Sequence, residues 1–269
     1  MDRKITILSG AYILFLILLF ASGSVVGMLS EIIYFLAFLL PFVFALLLAD
    51  DRKNPLTEQL KIDKNGITVT LFTVFPTISI VLIISVVTSF VMERLTGATN
   101  RVDIGDSLIL AIINHVVLPS LLEEMLFRYL PMRLLMRHSR VVCLFVSAFF
   151  FSLVHHDLFS IPYAFAAGVV FMLIDMMCGS IVPSLIVHFV NNLISVLLIF
   201  YAENTLIKSV CIGVVVACTL ISFVVIIIRK NEYIERIKNV FVRGEKMKFN
   251  FSILMFAIGC LIFAVIGLA

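Results

Sequence analysis

The chain has 269 residues, of which 62% are hydrophobic and only 14% charged, with 25 Phe and a formal net charge of +3. That balance excludes an ordinary soluble domain and identifies a polytopic membrane protein. The small positive excess follows membrane topology, as the positions of Lys and Arg show below, and carries no nucleic-acid signature.

Apolar runs of about 20 residues, the length that crosses a ~30 Å hydrocarbon core, are predicted at 5–28, 30–49, 67–92, 105–136, 140–157, 160–178, 181–201, 206–228 and 250–269. The expected fold is all-α, a transmembrane bundle of eight or nine spans with a cytoplasmic N-terminus. Three regions are expected: 1–104 with three spans and their loops, 105–200 with the polar residues at membrane depth, and 201–269 with C-terminal helices and a basic loop. Arg3 and Lys4 before an apolar run ending in "ASGS" also describe a signal peptide. The chain continues directly into another apolar segment, so the first is read as a retained anchor.

Orientation follows from the basic residues. One side collects Arg3 and Lys4, then Arg52, Lys53, Lys61 and Lys64, then Arg133, Arg137 and Arg140, then seven residues from Arg229 to Lys248, sixteen of the twenty in all. The other side holds Arg94, Arg101 and Lys208, and Arg128 lies inside a span. In the basic stretch after residue 228, Ile234, Ile237 and Phe241 recur at helical spacing. Two readings stand there, an interfacial helix on an anionic membrane surface and a solvated stop-transfer loop. Cys143, Cys178, Cys211, Cys218 and Cys260 fall in or at the ends of spans without a C-x-x-C pair, and are read as packing residues.

The span at 105–136 contains "LLEEMLFRYL", with Glu123, Glu124 and Arg128 among apolar residues. Each charge at a helix centre costs on the order of 2.5–3.5 kcal/mol on insertion scales, so compensation is required. Glu124 and Arg128 stand four residues apart with the acid first, the favourable order for an ion pair on one face. Glu123 is turned about 100° away and is left without that partner. A carboxylate in a water-poor site is a candidate general base.

The next span carries "FFFSLVHHD", where Phe151 and His155 share a face four residues apart. Counted from the basic loop at residues 137–140, Glu123 and His155 both reach a depth of roughly 21–23 Å at 1.5 Å per residue. Two spans later, His188 and Asn192 share a face in "IVHFVNNL", with Asn192 at a comparable depth. A lone buried histidine is usually a packing residue; two of them matched to a buried glutamate point to a site.

These three segments resemble the motifs EExxxR, FxxxH and HxxxN/D of the CPBP intramembrane proteases, also called the CAAX-protease and bacteriocin-processing (Abi) family. They stand here in the same order, as Glu123-Glu124 to Arg128, Phe151 to His155, and His188 to Asn192. The resemblance covers about residues 105–200. It implies an endopeptidase in which Glu123 and His155 activate water, and His188 and Asn192 stabilise the oxyanion. Glu124, Arg128 and Phe151 would then support the site. The family is often described as metalloproteases, and Glu123, His155 and His188 could hold a zinc with an open fourth position. There is no H-E-x-x-H, and asparagine is an unusual zinc ligand, so the favoured reading is a glutamate-dependent site without an obligatory metal.

Other polar residues carry less weight. His156 and Asp157 are expected at the membrane interface, Asn114 and His115 along a polar cavity, and Asp175 as an ordinary charge near a helix end. Ala164 and Gly168 form a small-xxx-small pair for close helix packing. The span at 250–269 is an addition to the family core or a re-entrant segment. The expected setting is a bacterial cell membrane, with the lipid bilayer and a hydrophobic or lipid-modified peptide as partners. Two other functions stay open: a catalytically silent scaffold or bacteriocin-immunity protein, and an ion-coupled transporter. Against the transporter, the polar residues cluster instead of crossing the membrane, and no inverted repeat is visible.

Overall fold

The computed structural model describes residues 3–49, 64–96, 104–136, 139–155 and 160–241. Among these residues the chain forms nine helices: α1 (Arg3–Gly23), α2 (Met28–Ala49), α3 (Lys64–Thr96), α4 (Leu108–Leu135), α5 (Arg140–Val154), α6 (Ser160–Cys178), α7 (Val182–Phe200), α8 (Thr205–Ile228) and α9 (Lys230–Val240). Seven are long and apolar enough to cross a membrane, and α5 is a shorter apolar helix. The expected span at 250–269, along with His156 and Asp157, lies outside the described residues.

The bundle is organised around α4, which is not a uniform α-helix. Two π-helical stretches, Ile113–Val117 and Met125–Tyr129, interrupt it, and Pro119 and Pro131 stand just beyond them. Pro131 has no N–H to offer the carbonyl of Phe127 four residues back or of Leu126 five residues back. Side chains from two neighbours supply the missing donors. Ser147 Oγ of α5 donates to Phe127 O at 2.5 Å, and the Tyr12 hydroxyl of α1 donates to Leu126 O at 3.3 Å. The widened turn is thereby clamped on both sides, and Phe15, Phe38 and Phe127 close around it in edge-on ring contacts.

Helices α5 and α6 approach closely because Gly168 has no side chain. A Cβ there would lie 2.9 Å from Ala148 Cα and 3.2 Å from Phe151 Cδ1, closer than atoms pack. The expected small-residue contact is therefore present, with Ala164 fully buried one turn earlier. It seats Phe151 against α6.

In the turn from α6 to α7, Ser180 and Ile181 are buried. Gly179 takes a left-handed conformation (φ 66°), and Ser180 N–H donates back to Asp175 O at 3.2 Å, a helix-ending motif that glycine permits. Helix α9 covers this turn, with Arg236 Nη1 donating to Met177 O at 3.0 Å and Tyr233 and Val240 buried. Burial, and then neighbouring Glu232, pushes the Tyr233 phenol up to about 12, so it packs as a neutral group. Ile234, Ile237 and Phe241 remain exposed on another face, as an interfacial helix requires. Of the two readings for this segment, the helix is the one observed, as far as Val240.

Candidate active site

The three charges of α4 are buried together, Glu123 at 5% exposure and Glu124 and Arg128 at 0%. Arg128 Nε lies 3.4 Å from Glu124 Oε2, which gives the expected pair. Its guanidinium also stacks over aromatic rings, with Cζ 4.1 Å from the Phe151 centroid and 5.5 Å from that of Phe171. A desolvated cation over a ring face gains on the order of 2 kcal/mol. Arg128 thus ties α4 to α5 and α6 at once.

Both glutamates also make contacts across helices that spacing does not show. Glu124 does more than pair with Arg128, because its Oε1 is 2.8 Å from His188 Nδ1. Glu123, without Arg128 as expected, has its Oε2 3.8 Å from His188 Nε2. The two acids do face different ways on the helix, and one imidazole spans the difference with its two nitrogens. Contact at Nδ1 fixes the ring's orientation and aims Nε2 at Glu123, the arrangement by which a carboxylate orients a working histidine.

His155 ends α5 with a non-helical backbone (φ −84°, ψ 85°), and its Nδ1 is 3.2 Å from Phe151 O. The Phe151 ring makes an edge contact with His155 at 5.2 Å and with His188 at 5.6 Å. Phe151 is accordingly the common wall behind both histidines and the Arg128 guanidinium.

Glu123, His155, His188 and Asn192 line one cavity of about 380 Å³. The four candidates are brought together there. His188 stands against both glutamates, and Asn192 follows one turn later on α7.

Several residues of the site were not expected. Asp175 is fully buried, not an ordinary charge near a helix end, and its Oδ1 accepts the Ser184 N–H at 2.9 Å. The Ser184 hydroxyl lies against both Asp175 and Glu124. Asp175 therefore anchors the first turn of α7, one turn before His188. Asn191 Nδ2 reaches the Tyr163 hydroxyl and Asn192 Oδ1, each at 3.4 Å, which leaves the Asn192 amide N–H₂ for the cavity. Tyr34, Tyr163 and His115 are among the other residues of the lining, and His115 and Asn114 also line the adjoining cavity as expected. The one signal for Asp175 was an acid in "MLIDMMCG" without a basic neighbour.

Asparagine at 175 would keep the acceptor for Ser184, and alanine would remove it. Asp175→Ala is expected to lose about 1–3 kcal/mol, the cost of an unsatisfied buried N–H, with Asp175→Asn closer to wild type. Detergent melting of both variants checks this.

Glu123, His155 and His188, the set that would hold a zinc, do not converge as metal ligands. Among the described residues no three His, Cys, Asp or Glu side chains do. His188 Nδ1 is already engaged with Glu124, and Nε2 faces a carboxylate.

The helical bundle is that of a polytopic membrane protein, and its buried Glu–His cluster gathers ionisable groups at one cavity. Residues 104–194 match the family model described as Rce1-like, type II CAAX prenyl endopeptidase, and this match supports the assignment to the CPBP family of intramembrane proteases. No curated protein and no solved structure matches the chain.

Proposed function

We propose that the protein is an intramembrane endopeptidase that cleaves a hydrophobic or lipid-modified peptide with Glu123 as general base. The observation that carries this is the convergence of Glu123, His155, His188 and Asn192, from α4, the end of α5 and α7, on one cavity. Such a site has the parts peptide hydrolysis needs. Glu123, with His155, takes a proton from water, and the resulting hydroxide attacks the peptide carbonyl. His188 Nε2 and the Asn192 amide donate to the oxygen that gains charge. Protonated Glu123 then delivers its proton to the leaving amine, and the C–N bond breaks. The protein's own groups carry every step.

The test compares the membrane proteomes of cells expressing wild type and Glu123→Ala. A precursor that accumulates with the variant identifies the substrate; unchanged proteomes together with no cleavage by purified protein point to a binding role. With the substrate known, Asn192→Ala is expected to lower kcat by about 10²–10³-fold, as for other oxyanion donors. KM should change little, because the donor acts on charge that appears in the transition state.

A further inference from the structure

The two ends of the bundle differ in charge, and the helix-end residues that line the cavity belong to one of them. At the first end Arg3 Nη2 donates to Leu48 O at 3.0 Å, Arg140 donates to Asn239 O, and Arg236 donates to Met177 O. These contacts gather the start of α1, the ends of α2 and α6, the start of α5, and α9. Among the described residues Arg3, Lys4, Lys64, Arg133, Arg140, Arg229, Lys230, Arg236 and Lys238 belong to this end, which the distribution of Lys and Arg makes cytoplasmic.

The lining of the catalytic cavity includes Val154, Ser160 and Ile199, at helix ends on the opposite side, and Ile104, which precedes α4 there. Helix α5 has 15 residues, about 22 Å at 1.5 Å per residue, short of a ~30 Å core. The non-helical backbone of His155 therefore lies below the far membrane surface. Irregular backbone at that depth is tolerated where it lines a water-filled cavity.

A second cavity of about 530 Å³, between the α1–α2 hairpin and the first half of α4, shares Tyr34, His115 and Pro119 with the catalytic one. Its walls are mainly apolar, including Phe35, Phe38 and Leu122, and Glu31 supplies its one carboxylate. An acid in the first turn of α2 also suits the helix dipole, but the whole of this end leans acidic. Among the described residues Glu31, Glu93, Asp106 and Glu203 stand there against Arg94 and Lys208.

We propose that the active-site cavity opens on the non-cytoplasmic face and, together with the adjoining cavity, takes a cationic, apolar peptide segment presented from that side. That this segment is a substrate rests on the endopeptidase reading; the direction of the opening does not. The first arm labels Glu203→Cys and Lys238→Cys separately with a membrane-impermeant maleimide in intact and permeabilised cells, against the parent chain's own signal. Both positions are exposed. Glu203→Cys should label in intact cells and Lys238→Cys only after permeabilisation; the reverse pattern, or labelling of both in intact cells, overturns the proposal.

The second arm measures binding to the Glu123→Gln protein in nanodiscs of fluorescent apolar peptides that differ only in carrying Lys, Gln or Glu. Lys should bind tightest, and Glu31→Gln should weaken its binding about 3–5-fold, as for one partly exposed ion pair, leaving the Gln peptide unchanged. Equal binding of the three peptides overturns the choice of occupant. Labelling and binding as expected, with no precursor and no cleavage in the proteome experiment, would instead remove the endopeptidase reading and leave a site that binds from outside.

Discussion

Glu123→Gln is expected to lower peptide turnover by at least about 10²–10⁴-fold, the usual contribution of a positioned general base, with folding and yield nearly intact. The asymmetry follows from what Glu123 touches. It sits at the cavity wall with His188 Nε2 at 3.8 Å, while the Arg128 charge is paired with Glu124. Glutamine has the same shape and leaves no buried cation without its carboxylate, so little stability is lost. It cannot take a proton from water. Full turnover by this variant, measured beside its detergent melting temperature, would move the base to another residue.

Much of this site could be read before any coordinates. Charges within an apolar run are costly enough that Glu123, Glu124 and Arg128 had to be either compensated or functional, and four-residue spacing singled out the pair. Identical spacing arguments put Phe151 behind His155 and Asn192 beside His188. What spacing does not carry is contact between helices. That Glu124 holds His188 depends on how α4 and α7 pack against each other, which the length of an apolar run does not report. Asp175 reads as an ordinary charge for the same reason: a helix end is an ordinary place for a charge only if it reaches water, and this one is covered by Tyr233 and Arg236. The π turns of α4 are likewise invisible in a pattern built on 3.6 residues per turn, although Pro131 marked where hydrogen bonding had to change. The polar donors that repair it, Tyr12 and Ser147, lie 114 and 20 residues away.

Glu124 is where stability and chemistry meet, and the two can be separated. Glu124→Gln leaves Arg128 buried and uncompensated, a loss of about 3–5 kcal/mol, and also disturbs the Nδ1 contact that holds His188. Either effect alone would abolish activity in a cell. Replacing both partners with apolar residues of similar size, as in Glu124→Leu with Arg128→Met, removes the stranded charge; such replacements are often neutral or stabilising. The double variant should therefore melt near wild type, with the Met side chain filling the space between Phe151 and Phe171. Turnover should not recover. His188 would have lost the carboxylate that orients its ring, and by analogy with hydrolase triads that loss costs on the order of 10⁴-fold in kcat. A well-folded double variant with wild-type kcat would show that Glu124 serves only to balance Arg128, and that Phe151 and Phe171 are enough to hold His188 in place.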